Sequence, residues 1–323
     1  MRALICDSYD GLDALRVGEM PDPTPLPGTA LVAVKAAAVN FQDLLVVAGQ
    51  YQIRPELPFV PGNEFAGVVE SANGLGGLEP GDRVVGFVGT GAMAERATAF
   101  PGAIIRLPDH IAFDVGAAIP VAYGTSYHAL VDRAGLRADE TLLVLGAAGG
   151  VGIAAVQIGK ALGAKVVAAV SSEEKAGVAR DAGADEVIRY DQMPLRDGIA
   201  AATSGAGVDV VYDPVGGPAT ELALRSTNWN GRLLVVGFTS GDIPQISLNL
   251  TLVKGNSVVG VFWGRFNIEE PARSAENNRI VMDWVADGTL RPLVQKTFPL
   301  DEAVQALRWV ADRKVVGRVV VTP

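Results

Sequence analysis

The sequence predicts an α/β chain of two domains, a β-rich one followed by a doubly wound parallel sheet, on three observations. Its 323 residues call for two cores, since a domain usually takes about 100 to 200 residues. Glycine and proline punctuate the first part of the chain densely, with short alternating or Val-rich runs between them. From residue 122 onward, Val-rich segments of strand length alternate with Ala-rich segments of helix length, the grammar of strand–helix–strand units that close a parallel sheet.

In the first part, Pro21-Asp22-Pro23-Thr24-Pro25-Leu26-Pro27-Gly28, Pro61-Gly62-Asn63 and Glu79-Pro80-Gly81-Asp82 mark turns, because Pro fixes φ and Gly admits positive φ. Residues 30–38 and 67–70 read as strands, and 81–86 as a turn entering another. In the second part, strands are expected at 141–145, 165–170 and 186–189, with helices at 151–162 and 173–182 between them. Further strands are expected at 208–212, 232–237 and 257–262. After Trp263, two helical stretches, 273–287 and 300–313, precede a last strand at 318–321, and these final sixty residues could close either domain.

Apolar residues make up 49% of the chain and charged residues 20%, a composition that folds rather than stays disordered. With 27 basic against 36 acidic side chains, a net charge of -9 and no Lys/Arg cluster, neither nucleic acid nor an anionic membrane surface is expected as a partner. Cys6 stands alone, which excludes an internal disulfide and a four-thiolate zinc knot and reads as a small buried hydrophobe. Asp7, Asp10 and Asp13 lie where an export signal needs an apolar stretch, so a cytoplasmic address is expected. Residues 142–159 are nearly uncharged, but four glycines interrupt them and Lys160 and Lys165 close them. That pattern suits a buried strand, turn and helix better than a membrane span.

That turn carries the chemistry. Leu145-Gly146-Ala147-Ala148-Gly149-Gly150-Val151-Gly152 lies where a strand passes into a helix. Glycines there permit a tight turn, let the backbone approach a pyrophosphate and let the helix pack closely on the sheet, while the helix N-terminus faces the phosphate charge. Ala148, Gly149, Gly150, Val151 and Gly152 are therefore expected to bind a dinucleotide. In strict register, Ala147 takes the place of the first glycine of G-x-G-x-x-G and Gly146 precedes it; a packing turn in another α/β fold is the competing reading.

A chain that binds NAD usually places an acid at the end of the second strand, for the ribose 2′-hydroxyl. Here that strand ends in Ser171-Ser172, and Lys175 follows in the next helix. Serine does not repel a 2′-phosphate and can donate to it, and lysine neutralises it, so NADPH is the expected coenzyme, with Ser171, Ser172 and Lys175 as its ligands. Glu173 and Glu174 argue the other way and are read as solvated acids favoured at a helix start. Arg189 or Tyr190, ending the next strand, either flanks the same pocket or is an edge residue.

These residues resemble the zinc-independent quinone oxidoreductase branch of the medium-chain dehydrogenase/reductase superfamily over nearly the whole chain. The resemblance rests on Ala38-Val39-Asn40-Phe41-Gln42-Asp43, Val60-Pro61-Gly62-Asn63-Glu64-Phe65-Ala66-Gly67, Pro80-Gly81-Asp82-Arg83-Val84, Gly124-Thr125-Ser126-Tyr127, the Gly146 to Gly152 turn and Asp213-Pro214-Val215-Gly216-Gly217. It implies a GroES-like β-rich catalytic domain, residues 1–121 and 264–323, around a Rossmann NADPH-binding domain, residues 122–263, with the active site in the cleft between them. It also implies that Ser171, Lys175 and Tyr190 occupy the 2′-phosphate positions. Zinc-dependent relatives hold their metal at three places that here are Asn40, Asn63 and approximately Val121, none an ordinary zinc ligand; no metal is expected. His110 and His128 are isolated in sequence and are read as structural.

Without zinc to stabilise an alkoxide, reduction of an easily reduced acceptor is the natural chemistry, because a quinone or conjugated enone spreads the incoming charge. The expected activity is NADPH-dependent hydride transfer to a small-molecule acceptor of that kind. An enoyl, enoyl-CoA or alkenal double-bond reductase and a zinc-free ketone reductase are the enzymatic alternatives, and a low-turnover NADPH-binding protein is the non-enzymatic one. Tyr51 is the candidate donor to the acceptor oxygen, or else an apolar wall. Asn40 is expected at the nicotinamide ribose or the acceptor, with Asp43 orienting it or Tyr51, or simply serving as a helix-start acid. Thr125 is expected to touch the nicotinamide, and Phe262 to wall the pocket unless it packs in the core or at a dimer contact. The apolar strand at 257–262 would be a liability as a bare edge, so a homodimer is expected through it.

Overall fold

The computed structural model describes residues 1–323, which divide into two compact units. The first comprises Met1–Val121, Glu270–Met282 and Pro292–Pro323, and the second Ala122–Glu269 and Asp283–Arg291.

The first unit is built on a seven-stranded sheet in the order Val294–Pro299, Arg318–Thr322, Ala30–Val39, Glu64–Ser71, Arg83–Phe87 and Ile104–Arg106, with Arg96–Ala99 pairing additionally on Ala30–Val39. All of its pairings are antiparallel except that between Val294–Pro299 and Arg318–Thr322. A two-stranded ribbon, Arg2–Cys6 with Leu15–Glu19, packs its Ala3 to Cys6 run into the same apolar core. Two features place the functional residues. Ala30–Val39 runs directly into Asn40 and the short helix Phe41–Val47, and Arg318–Thr322 pairs beside it, with Val319 opposite Val39.

The second unit is a six-stranded, all-parallel sheet. Its order runs Glu186–Arg189, Lys165–Val170, Thr141–Leu145, Val208–Asp213, Thr227–Val235, Ser257–Gly260. The strands read as near-continuous Val, Leu and Ala because a parallel sheet is covered on both faces; Leu142, Leu143, Val144, Val166, Val167, Ala168 and Ala169 are all fully buried. The order reverses at Thr141–Leu145, the first strand, and a dinucleotide binds at the carboxyl ends beside such a switch point.

Strands 141–145, 165–170 and 186–189 form with the expected bounds. Other expectations need correction. The strand expected at 232–237 starts earlier and spans Thr227–Val235. The sixth strand stops at Gly260, and Phe262, expected to end it, lies beyond it and before the helix Trp263–Glu269. The boundary expected at residue 264 also moves, because residues 264–269 and 283–291 group with the second unit. Side-chain packing explains why. Phe266 stacks on His128 at 3.9 Å between ring centroids, Trp284 meets Tyr127 edge-on at 5.6 Å, and Gln157 accepts from the Arg291 N–H at 2.8 Å.

No helix is long and apolar enough to cross a membrane. Cys6 is fully buried, its thiol pushed up to about 11 by burial.

Candidate active site

In the second unit, the glycine-rich turn forms between Thr141–Leu145 and the helix Gly150–Ala161, whose N-cap is Gly149. Gly146 adopts φ +60 and accepts from the Gly149 N–H at 3.0 Å, so it supplies the tight turn that Ala147 cannot. A Cβ at Gly152 would stand 2.2 Å from the Gly146 carbonyl oxygen; only glycine lets the helix come this close to the turn. Ala148 is buried, while Gly149, Gly150 and Val151 are half-buried, with the early backbone N–H groups of the helix at its open N-terminal end. Behind the turn, Ser126 Oγ donates to the Val151 carbonyl at 3.0 Å and meets the Tyr212 hydroxyl at 2.8 Å. That bracing comes from side chains far apart in sequence, and nothing local signals it.

At the end of the second strand, Ser172 caps the helix Glu173–Asp181, its Oγ accepting from the Lys175 N–H at 3.3 Å. The Lys175 ammonium reaches back to Ser171 Oγ at 3.3 Å and forms no ion pair. A half-buried lysine beside two serines, with no carboxylate partner, fits a 2′-phosphate and lacks the acid that grips the ribose 2′-hydroxyl of NAD. Tyr190 joins the corner through its N–H, which donates to the Val170 carbonyl at 3.1 Å, and its ring is 44% exposed. Glu173 departs from the reading as a merely solvated acid: it accepts from Arg189 at 2.6 Å and Arg180 at 3.1 Å, which hold its carboxyl below the ordinary value. Thr125 is half-buried on the helix Pro120–Tyr127, and Phe262 is 48% exposed.

In the first unit, the three places that correspond to zinc ligands are joined into one buried hydrogen-bonded cluster. Asn40 Nδ2 donates to Asn63 Oδ1 at 2.9 Å and to Glu64 Oε1 at 2.8 Å, and the Val121 N–H donates to Glu64 Oε2 at 2.7 Å. Arg318, from the last strand, donates to Asn40 Oδ1 at 2.8 Å and pairs with Glu64 Oε1. Glu64 is fully buried, and burial pushes its carboxyl upward against the opposing pull of Arg318. Both Asn40 amide hydrogens are thus engaged inside the unit, so Asn40 is held as part of the scaffold and is not a free donor for an acceptor or a ribose. Two carboxamides, a backbone amide and a carboxylate already paired to arginine do not fit a Zn²⁺ ion, and no group of three His, Cys, Asp or Glu side chains could hold a metal.

Asp43 lies beneath this cluster, in the first turn of Phe41–Val47, where its Oδ2 accepts from the Asn40 N–H at 2.7 Å. Burial raises its carboxyl to about 7. Tyr51 is half-buried against the unit's core, and burial, with the Asp43 charge adding to it, keeps its phenol protonated above the ordinary range. Of the two expected catalytic residues, Tyr51 alone keeps an unengaged polar group.

Residues 26–109 match the alcohol dehydrogenase GroES-like domain family, and residues 150–281 match the zinc-binding dehydrogenase family. The chain is 38% identical over 294 residues to quinone oxidoreductase-like protein 2 homolog of Nematostella vectensis, covering 90% of this chain and 80% of that protein. The chain belongs to the quinone oxidoreductase branch of the medium-chain dehydrogenase/reductase superfamily. This medium-chain reductase also superposes on solved relatives along its whole length. The Escherichia coli quinone oxidoreductase complexed with NADPH gives a TM-score of 0.92 at 29% identity, with all of both chains covered. The Pseudomonas syringae quinone oxidoreductase gives 0.93 at 28%, covering 100% of this chain and 99% of that one. The sequence motifs therefore identified the family correctly, and the enzyme is an oxidoreductase.

Proposed function

We propose that this medium-chain reductase uses NADPH to reduce a quinone or another activated conjugated carbonyl compound without zinc. The observation that carries the reading is the Ser171–Lys175 pair at the end of the second strand, a cation with no acidic partner where an NAD-binding chain needs a carboxylate. Family membership and the NADPH complex of the Escherichia coli relative support the same coenzyme.

When bound, NADPH supplies a hydride to the acceptor and leaves as NADP⁺. The chain's own residues do the rest. The Gly146–Gly152 turn and the N-terminus of Gly150–Ala161 receive the pyrophosphate, with Ala148, Gly149, Gly150 and Val151 offering backbone. Ser171, Ser172, Lys175 and Tyr190 surround the 2′-phosphate, and Thr125 and Phe262 lie against the nicotinamide. Tyr51, protonated at neutral pH, donates to the acceptor oxygen as charge develops there. The Glu64–Arg318–Asn40 cluster fixes the loop after Ala30–Val39 and so the short helix that leads to Tyr51.

A panel of acceptors followed at 340 nm tests this. Because no metal polarises the oxygen, quinones and activated enones are expected to be reduced much faster than simple ketones. Tyr51→Phe is expected to lower turnover about 10- to 1000-fold on a weakly activated acceptor, bounded above by the loss typical of an oxyanion donor, and by less on a good quinone. An equal loss on both contradicts selective stabilisation by Tyr51, and no loss on either makes the ring a wall.

A homodimer is part of the reading. Ser257–Gly260 is the edge of the parallel sheet, with three of its four residues exposed. Trp229, Leu248, Leu252 and Val253 in the same unit are each at least 70% exposed, and a strand with one open edge and apolar surroundings invites a second copy. Light scattering that returns a monomer at micromolar concentration contradicts it.

A further inference from the structure

The corner that receives the 2′-phosphate holds a second cation, and that cation already has anionic partners. Arg189 pairs in register with Val170, the residue before Ser171. Asp191 grips one edge of its guanidinium, accepting from Nε at 2.8 Å and from Nη2 at 2.6 Å, while Nη1 donates to Glu173 Oε2 at 2.6 Å. The arginine side chain is only 16% exposed, whereas Glu173 is 68% exposed. Glu173 lies between Ser172 and Lys175 in the helix start, so its carboxylate shares a corner with the groups assigned to the phosphate.

We propose that Glu173 and Arg189 tune the coenzyme affinity of this enzyme: Glu173 is a built-in competing anion that occupies Arg189 until the 2′-phosphate displaces it. The inference rests on the reading that Ser171 and Lys175 receive that phosphate. A guanidinium presents five donors in a rigid fork, and a phosphate monoester carries more charge and more acceptor oxygens than a carboxylate. A phosphate is therefore the better partner for the edge that Glu173 now takes. Asp191 keeps the fork oriented when Glu173 leaves, so little side-chain freedom is lost on binding. Arg180, which donates to the other Glu173 oxygen at 3.1 Å, gives the displaced carboxylate a place to stay. Displacement still costs an ion pair and leaves a negative charge near the phosphate, so Glu173 weakens NADPH binding relative to what the two cations alone would give. NADH has no 2′-phosphate and does not contest the pair.

Equilibrium titration of the purified enzyme with NADPH and NADH, read by nicotinamide fluorescence, tests the inference. Glu173→Gln is expected to tighten NADPH about 2- to 5-fold, the range of an exposed ion pair, and to leave NADH unchanged. Arg189→Gln is expected to weaken NADPH and to abolish the gain when combined with Glu173→Gln. Unchanged or weaker NADPH binding in Glu173→Gln, with Lys175→Ala still weakening NADPH, overturns the role of Glu173 alone. Lys175→Ala that binds NADPH as tightly as the unaltered enzyme overturns the phosphate-site reading and this inference with it.

Discussion

The cluster around Arg318 in the first unit and the cluster around Arg189 in the second have similar ingredients, an arginine with two carboxylates nearby, in opposite surroundings. Arg318 and Glu64 are 6% and 0% exposed, and their hydrogen bonds run to Asn40 and the Val121 backbone. Glu173 and Asp191 stand in solvent around Arg189. In the dry cluster each group depends on its partner, since an unpaired charge there has no water to turn to. In the wet one each pair is exchangeable, and an incoming anion can take a partner's place. Buried polarity here fixes geometry, and exposed polarity stays open to exchange.

Removing each arginine tests that difference most severely. Arg318→Met leaves Glu64 buried without its cation and is expected to lower unfolding free energy by about 3 to 5 kcal/mol. Arg189→Met is expected to cost less than about 1 kcal/mol. Urea denaturation compares them, and a similar loss for both erases the distinction. Adding Glu64→Gln to Arg318→Met is expected to restore part of the loss by removing the stranded charge.

The buried cluster also predicts a pH dependence. Asp43 titrates near 7 when folded, against an ordinary value of 3.8. The folded state therefore holds a proton there that the unfolded chain has already released, and stability falls as pH rises from about 4 to about 7, by on the order of a few kcal/mol, then levels off. Thermal unfolding of Asp43→Asn across that window is expected to lack this component. A parallel pH profile for the two proteins would remove Asp43 as its source.

The Ser171–Lys175 corner beside Arg189 was legible in the sequence and the buried cluster was not, for a physical reason. Ser171, Ser172 and Lys175 lie within one strand end and one helix turn, where strand periodicity and capping chemistry locate them. The buried strands 141–145 and 165–170 announce themselves as unbroken Val, Leu and Ala because both faces are covered. Arg318, by contrast, meets Asn40 from 278 positions away, and in sequence it is one basic residue opening a terminal strand. Asn40 was therefore expected to face the coenzyme or the acceptor, and its engagement with Glu64 and Asn63 appears only once the sheet brings Arg318–Thr322 beside Ala30–Val39. Glu173 was misjudged for a related reason: one of its partners, Arg189, lies on the neighbouring strand.

Lys175→Ala decides whether Ser171 and Lys175 make this reductase prefer NADPH. Titration of the unaltered enzyme and Lys175→Ala with both coenzymes should show tighter binding of NADPH than of NADH. Lys175→Ala should weaken NADPH by about 1 to 3 kcal/mol, the scale of a charge-assisted hydrogen bond, and leave NADH nearly unchanged. Equal or tighter binding of NADH by the unaltered enzyme, or the same loss for both coenzymes in Lys175→Ala, would contradict the account.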